Sequence, residues 1–449
     1  KAQIDPLVTF WITLANYGLL RHFLKGPDWR MWTLGWFAAG LGTITKGVGV
    51  LALLMILPAV FALCRGWLPQ TGTNDTRHGR LLRDCKFWLG PLAFVVALAI
   101  WLVPMATAAL SHADPAYRAY LDDILFRQTV GRYAKSWDHP QPSWYYLQVM
   151  LTVWLPTVLA LPWAIPAWRR RLRRWDARYL LPLVWWALIV MFFSIPHGKR
   201  DVYIMPALPM MCLALGPLLP GIVRQPWLKR LAVMFGAALV LVLLIGGIGL
   251  WIGAPGLEKR FIQGRDFHDG GRGIAALLIA VGAWGCAALL WHRTRRGVTG
   301  LLWMLGGLWV LFSVFGYPLI NGSSSARTLM TEVGRRIGPD AELGLVAWKE
   351  QNLLMADRQA TTFGFNVPSA TQLWEGFDWL AHAPARRWLL VQESALSQCV
   401  NRDKAEMAGI SNHRRWWLVT AAAVIPQCMP QRIETQNQGN GQDDDGEGR

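Results

Sequence analysis

Long apolar segments separated by short basic loops make up most of residues 1–320. Runs of about 18–25 apolar residues are long enough to cross a hydrocarbon core of about 30 Å. Because the bilayer offers no water to backbone amides and carbonyls, such segments fold as helices. The pattern predicts ten spans, at about 6–23, 31–45, 47–64, 87–110, 144–168, 179–196, 201–223, 231–253, 272–291 and 298–319. We therefore expect an all-α polytopic membrane protein in this part of the chain.

The second and third predicted spans are short and meet at Lys46. A helical hairpin would place this lysine at the membrane surface, opposite Arg30 and Arg65. A single overlong span would bury the lysine in lipid at a higher cost. We therefore predict the hairpin.

The basic loops indicate how the spans are oriented. When the spans alternate, the loops at 21–30, 77–86, 168–178, 223–230 and 292–297 fall on one face, which the excess of Lys and Arg assigns to the cytoplasm. The opposite face then receives Lys46, the 111–143 loop, residues 197–200, the 254–271 loop and the chain after Asn321. We expect that face to be the non-cytoplasmic one.

Residues 321–430 have the pattern of a small α/β domain, and residues 431–449 that of a disordered tail. The periodicity predicts helices at Ala326–Ile337 and Ser369–His382. It also predicts strands at Glu342–Ala347, Trp388–Val391 and Trp416–Ile425. The domains are therefore expected at 1–320, 321–430 and 431–449.

Net charge and cysteine spacing narrow the possible partners. A net charge of +17 would suggest nucleic acid in a soluble protein. Here much of the charge lies in short loops between spans, so we expect no nucleic-acid partner. The six cysteines form no C-x-x-C pair, and metal dependence stays open. Cys399 and Cys428 are predicted to lie in the outer domain, either as a disulfide or as two free thiols.

The stretch Phe126–Leu147 combines cations and aromatic residues between two apolar segments. Arg132 and His139 are followed by Trp144, Tyr145 and Tyr146. Such a loop suits a ligand with an anionic head and an apolar tail, such as a lipid phosphate. An ordinary interfacial loop has a similar composition and is the alternative.

Four polar clusters are predicted to converge on the outer face: Asp5-Pro6, Thr45-Lys46-Gly47, residues 127–146 and residues 197–203. Short outer loops are normally poor in Lys and Arg. A cation retained there needs a partner, and a phosphate suits both guanidinium and ammonium groups.

Three of these stretches resemble a known family. They are GLGTITKG at 40–47, GRYAKSWDHPQPSWYYL at 131–147 and FFSIPHGKRDVYIMPALP at 192–209. They are similar to the bacterial glycosyltransferase family 39 pattern, a group that includes the 4-amino-4-deoxy-L-arabinose lipid A transferases and is related to the protein O-mannosyltransferases. The resemblance extends over about residues 1–325.

The resemblance implies a GT-C fold in the bacterial inner membrane and an undecaprenyl-phosphate sugar as donor at the periplasmic face. It implies that Arg132 contacts the lipid phosphate, together with Lys46, Lys199 and Arg200. The side chains expected to line the substrate cavity are His139, Trp144, Tyr145, Tyr146 and Tyr203.

The first outer loop of the family carries the acidic residue usually assigned to catalysis, and we find no counterpart for it here. The chain resembles a family member truncated at its N-terminus. Asp5 is then the candidate catalytic carboxylate, although an aspartate before Pro6 is also typical of a helix cap. We therefore expect residues 1–449 to bind a polyprenyl phosphate weakly and to transfer no sugar.

Two functions from different classes fit these residues. The first is a membrane glycosyltransferase that uses a polyprenyl-phosphate sugar, with lipid A, another glycan or a protein as acceptor. The second is a transporter or flippase of an anionic lipid-linked substrate. Transporters often show internal repeats and charge near the midplane, and this sequence has neither, so the enzyme is favoured.

Overall fold

The computed structural model describes residues 4–68, 84–111, 115–122, 124, 140–254, 256–257, 271–365 and 367–425. Contacts divide the chain into two compact units. We call residues up to Val233, together with Thr294–Val298, the N-terminal unit. The remaining residues from Met234 onward form the C-terminal unit.

The N-terminal unit is helical wherever it has regular structure. Its helices are α1 (Asp5–Lys25), α2 (Trp29–Lys46), α3 (Ile56–Cys64), α4 (Leu89–Ser111), α5 (Pro115–Asp122), α6 (Tyr145–Val153), α7 (Leu161–Arg173), α8 (Ala177–Ser194), α9 (Ala207–Leu215) and α10 (Leu219–Ile222), and α11 (Pro226–Trp251) begins in it. Short 3-10 segments at Val48–Met55, Cys85–Trp88, Thr157–Ala160 and Asp201–Ile204 connect or precede several of them.

Glycines bring α1 and α2 into close contact. A Cβ on Gly18 would lie 2.5 Å from the carbonyl oxygen of Met31 and 2.9 Å from the nitrogen of Gly35. Such close backbone approach is typical of helix pairs that pack through small residues in membranes. Between the helices, Asp28 caps α2 by accepting a hydrogen bond from the Met31 amide, at 3.2 Å.

The chain turns back after Lys46, as the hairpin prediction requires. Helix α2 ends at Lys46, and Gly47 follows with φ +64°, a left-handed conformation that glycine adopts without strain. The chain then returns along α2, so closely that a Cβ on Gly49 would lie 2.1 Å from the carbonyl carbon of Gly42. The predicted hairpin is confirmed.

The predicted span at 144–168 is not one continuous helix, because the helix breaks in its middle. Helix α6 ends at Val153, the second helical segment starts at Thr157, and the two are bent by 95°. Pro156 lies between them and has no amide hydrogen to continue the helical hydrogen bonds. The predicted span at 201–223 is likewise interrupted, into a 3-10 turn, α9, a second 3-10 turn and α10.

The C-terminal unit contains most of α11, then α12 (Arg272–His292), α13 (Gly297–Leu311), a π-turn at Phe312–Gly316 and α14 (Tyr317–Ser324). Across the described residues, five helical stretches are long and apolar enough to cross a membrane, or six if the bent pair counts as one span. The chain is therefore a helical protein with several membrane-spanning segments. The full set of ten spans stays a prediction.

A five-stranded sheet follows α14 and α15 (Ala326–Ile337). Its elements are β1 (Glu342–Val346), α16 (Glu350–Leu354), β2 (Ala360–Thr362), α17 (Ser369–His382), β3 (Arg387–Gln392), β4 (Glu406–Ser411) and β5 (Arg414–Val419). The strand order is β2-β1-β3-β5-β4, with β2, β1 and β3 parallel and the last two pairs antiparallel.

Helices cover both faces of this sheet. On one face Met330 and Val333 of α15 pack with Leu343 and Leu345 of β1. On the other, Phe377 of α17 packs with β3 through a separate apolar cluster. Both predicted helices are confirmed with their bounds, and the three predicted strands are confirmed, although β5 ends six residues before Ile425. Cys399 is disulfide-bonded, and Cys428 lies outside the described residues.

Candidate functional site

An ion pair between Asp5 and Lys46 forms the centre of the candidate site. Asp5 is the first residue of α1 and Lys46 the last residue of α2, and the Lys46 Nζ donates a hydrogen bond to Asp5 Oδ1. The two side chains are 16% and 28% exposed, so the pair is partly buried but open to a ligand. Ile4 occupies the cap position of α1, and Asp5 is the first residue of the helix.

Aromatic rings lie beside this pair. The Lys46 ammonium is 5.3 Å from the centre of the Tyr203 ring, a cation–π distance. Tyr203 in turn contacts Phe193 at the end of α8, with ring centres 5.6 Å apart. The start of α6 also reaches this cluster, because α6 packs against the 3-10 turn at Asp201–Ile204 that carries Tyr203.

Tyr146 carries a buried hydroxyl group. The residue is 1% exposed, and its hydroxyl makes no hydrogen bond of normal geometry to a described atom, although the Arg200 backbone lies beside it. An unpaired buried hydroxyl is unfavourable, which is why such groups often mark ligand sites. Its ring contacts that of Tyr145 edge-on, with centres 5.4 Å apart.

The two loops that carry the remaining predicted residues are joined to each other. Pro140 and Gly198 form an antiparallel bridge, and the Gln141 amide donates to the His197 carbonyl at 3.0 Å. Lys199 is 4% exposed and donates to the Gln141 carbonyl oxygen at 3.1 Å. The Lys199 ammonium thus holds the loops together in this structure, and a phosphate would have to compete for it.

The other predicted site residues lie outside this cluster or outside the described residues. Arg200 is exposed and forms no ion pair with any described residue. Trp144 is 60% exposed at the start of α6. Arg132 and His139 lie outside the described residues. The structure therefore brings together Asp5, Lys46, Tyr146 and Tyr203, with Tyr145 beside them.

Sequence reasoning missed two residues, Gln141 and Phe193. Gln141 accepts from Lys199 through its backbone, which no side-chain pattern reveals. Phe193 belongs to the FFSIPHGKRDVY stretch, and its position before the predicted loop was the available signal. Within the part of the chain that the structure describes, no three His, Cys, Asp or Glu side chains lie close enough to hold a metal ion.

The helices and this cluster define a helical membrane protein with a partly buried carboxylate–ammonium pair and tyrosines at one end of its bundle. No family model matches the chain. Its fold is that of ArnT from Cupriavidus metallidurans, solved bound to undecaprenyl phosphate, with a TM-score of 0.62 and 15% identity over 95% of this chain and 76% of that chain. The apo form of the same ArnT gives a TM-score of 0.61.

Curated relatives agree with the fold. An undecaprenyl phosphate-alpha-4-amino-4-deoxy-L-arabinose arabinosyl transferase of Pectobacterium carotovorum is 32% identical over 269 residues, covering 57% of this chain and 44% of that protein. The protein of the same name from Yersinia pestis is 27% identical over 263 residues, covering 56% of this chain and 43% of that protein. The chain spans less than half the length of these relatives in the match. Its predicted resemblance to lipid A arabinosyl transferases is confirmed.

Proposed function

We propose that this chain carries out, or is part of a protein that carries out, sugar transfer from a polyprenyl-phosphate donor to lipid A at the periplasmic face of the bacterial inner membrane. The observation that carries the proposal is the Asp5–Lys46 pair under Tyr203. It joins a base and a cation where an anionic lipid-linked sugar needs both. The relatives named as arabinosyl transferases support an undecaprenyl-phosphate aminoarabinose donor, and the sequence resemblance to lipid A transferases is the reason to choose lipid A as the acceptor to test.

The leaving group requires positive charge. When the acceptor oxygen attacks the anomeric carbon, the bond from that carbon to the phosphate oxygen breaks and the electron pair goes to the phosphate. Lys46 and the exposed Arg200, which pairs with no described carboxylate, would take up this charge, with Arg132 beside them as the resemblance implies. Lys199 would contribute only if it releases the Gln141 carbonyl.

The acceptor hydroxyl requires a base. Asp5 is the carboxylate in contact with Lys46, and it would receive the proton of the attacking hydroxyl. Lys46 would then lie between the base and the phosphate, and a phosphate that draws Lys46 toward itself would free the carboxylate for this proton. The same ion pair would therefore both hold the donor and keep the base in place.

The aromatic side chains would line the sugar and the first isoprene units. Tyr146 offers its unpaired hydroxyl, while Tyr145, Trp144 and Tyr203 offer ring faces. Aromatic rings that carry a polar group suit a ligand whose headgroup is hydrated and whose tail lies in lipid. His139 would join this lining by the resemblance. On this proposal residues 321–430 lie in the periplasm and the tail from 431 follows them.

The test measures binding and transfer in the same preparation. The protein, reconstituted in lipid nanodiscs, is mixed with undecaprenyl-phosphate-4-amino-4-deoxy-L-arabinose and lipid A, and the acceptor mass is followed. A gain of one aminoarabinose on lipid A is expected if this chain carries out the transfer itself, and donor binding without that gain is expected if the chain is only part of the protein that does. Asp5→Asn should retain donor binding and lose about 10²–10⁴-fold of the transfer rate, as expected for loss of a general base.

Arg224→Ala is the matched control, because Arg224 is an exposed cation that no described carboxylate pairs with. It should bind and transfer like the unchanged protein. Transfer that survives Asp5→Asn at full rate would contradict the role of Asp5 but leave the enzyme proposal standing. Donor moved across the bilayer without any acceptor modification would contradict the enzyme and favour a flippase.

A further inference from the structure

The break in the predicted span at 144–168 borders an apolar cavity of about 980 Å³. Its walls come from α6, α7 and α8, and tryptophans contribute to it at Trp154, Trp168 and Trp186. The volume is at the upper end of the range of roughly 300–1,000 Å³ typical of small-molecule sites. Because α6 and α7 diverge by 95°, neither can fill the space between them.

Two arginines lie on the wall of this apolar space. Arg169 and Arg173 are four residues apart in the last turns of α7, so they project from the same face of the helix. Both are exposed, and no described carboxylate forms an ion pair with either. Arg171 of the same helix, in contrast, pairs with Asp176 at 3.9 Å. Arg170 and Arg174 do not line the cavity.

The arginine end of the cavity lies away from the Asp5–Lys46 pair. Helix α8 has 18 residues and so extends about 27 Å. The cavity is lined by its first half, Leu180 to Ala187, whereas Phe193 near its other end contacts the Tyr203 of the candidate site. A phosphate held by Lys46 therefore cannot also be held by Arg169 and Arg173.

We propose that this cavity binds an anionic glycerophospholipid, with its phosphate between Arg169 and Arg173 and an acyl chain along the tryptophans. Two guanidinium groups without a described carboxylate partner lie next to an apolar wall. This combination matches a ligand that is anionic at one end and apolar along its length. The distal part of a polyprenyl tail is uncharged, so it would leave both arginines without a partner. The occupant is thus a structural or regulatory lipid, separate from the sugar donor.

The test compares two double variants that remove the same charge. The purified full chain is delipidated in detergent, phosphatidylglycerol or phosphatidylcholine is added, and bound lipid is counted by native mass spectrometry. Arg169→Ala with Arg173→Ala should weaken phosphatidylglycerol binding by about fivefold per arginine, or about 25-fold together. Arg170→Ala with Arg174→Ala should leave it within about twofold, because these residues lie outside the cavity. Equal losses in the two double variants would overturn the proposal.

A second variant locates the acyl chain. Ala187→Phe adds a ring to the cavity wall and should reduce phosphatidylglycerol binding as strongly as the loss of both arginines. Its thermal unfolding in detergent is measured alongside, so that a folding defect is recognised. Unchanged lipid binding in a folded Ala187→Phe protein would overturn the proposal. The proposal would also be overturned if undecaprenyl phosphate displaced phosphatidylglycerol and if the binding of undecaprenyl phosphate required Arg169 and Arg173.

Discussion

Lys46 lies where three local effects favour a charged side chain. It ends α2, where the helix dipole is negative, and Asp5 starts α1, where the dipole is positive. Each charge is therefore stabilised by its own helix end as well as by the other charge. The Tyr203 ring adds a cation–π contact. This arrangement explains how a lysine and an aspartate persist together at the end of apolar helices.

The ion pair between Asp5 and Lys46 gives a prediction for single substitutions. Lys46→Ala should weaken undecaprenyl-phosphate binding by roughly ten- to a hundredfold, since a charge-assisted hydrogen bond contributes about 1.5–3 kcal/mol. Asp5→Ala with Lys46→Ala should bind more tightly than Lys46→Ala alone, because the single variant leaves a carboxylate facing the phosphate. Binding is measured by titration with the free lipid phosphate in nanodiscs. Identical affinities for the single and double variants would show that Asp5 does not face the phosphate.

The residues of the site were predictable one by one, but their pairing was not. Motif and position in the chain singled out Asp5, Lys46 and Tyr203. That Asp5 bonds to Lys46 depends on the α1–α2 packing, which brings together residues 41 positions apart. The burial of Lys199 against Gln141 depends on a backbone carbonyl and leaves no trace in the sequence. The contacts of Arg132 and His139 stay predictions.

At the scale of elements, the position of Lys46 depends on how closely the chain returns along α2. A Cβ on Gly49 would meet the backbone of Gly42 and Thr43 at 2.1 and 2.3 Å. Backbone atoms cannot yield as a flexible side chain can. Any larger residue at position 49 must therefore separate the two segments next to the turn that carries Lys46.

Gly49→Ala should lower the free energy of unfolding by about 1–3 kcal/mol, the usual cost of overpacking, and should weaken donor binding with it. Gly221→Ala is the control, because a Cβ there has open space within 4 Å. The measurement is thermal unfolding in detergent followed by lipid-phosphate titration. A Gly49→Ala protein as stable as the Gly221→Ala protein would contradict the close packing of the hairpin.

Arg358 caps the C-terminal end of α15, although it lies about twenty residues further along the chain. Its guanidinium donates to the carbonyl oxygens of Gly338, Ala341 and Gly334, at 2.6, 2.8 and 3.3 Å. The Gly338 and Ala341 carbonyls lie just after the helix end, where no amide of the helix can reach them, whereas the Gly334 carbonyl also accepts from the Gly338 amide at 3.2 Å. The neighbouring guanidinium also lowers the pKa of the Asp357 carboxyl by hydrogen bonding to it.

Arg358→Ala should therefore destabilise the α/β domain by about 1–3 kcal/mol, because it leaves partly buried carbonyls without donors. Arg335→Ala is the control: Arg335 is exposed and, among the described residues, forms an ion pair only with Glu332 of its own helix. Chemical denaturation followed by tryptophan fluorescence measures both. The Asp357 contribution is present above the ordinary aspartate pKa and is lost as the pH falls through the lowered one. Equal stability of the two variants would contradict the capping role.

Elements were predictable where their periodicity was long and regular. Ala326–Ile337 and Ser369–His382 carry apolar residues at helical spacing, and both helices form with those bounds. The three-residue strand β2 and the edge strand β4, with its bulge between Met407 and Gly409, were missed because neither has a clear alternation. The break at Pro156 was missed because the apolar run continues through it.

At the scale of the whole molecule, the loops of the candidate site and two basic loops lie at opposite ends of α8 in the N-terminal unit. The residues around Lys46 and Tyr203 meet at one end of α8, near Phe193. At the other end of α8, Trp67 after α3 stacks on Trp175, with ring centres 4.0 Å apart. Trp67 follows Arg65, and Trp175 lies in the basic stretch at 168–178. These two basic segments thus meet at the end of α8 opposite Lys46 and Tyr203, while the grouping of the other basic loops and the side of the membrane stay predictions.

Cysteine labelling of intact cells tests that assignment. Ser143→Cys, beside the loop bridge at Pro140, should react with a membrane-impermeant maleimide added from the periplasmic side. Arg170→Cys, in the basic end of α7, should react only after the cells are opened, because cytoplasmic loops carry the excess of Lys and Arg. Both positions are exposed, so accessibility of the side chain alone does not separate them. The four free cysteines Cys64, Cys85, Cys212 and Cys286 are replaced by Ser beforehand, and Cys399 keeps its disulfide. Labelling of Arg170→Cys but not Ser143→Cys in intact cells would reverse the orientation and move the Asp5–Lys46 pair to the cytoplasmic side.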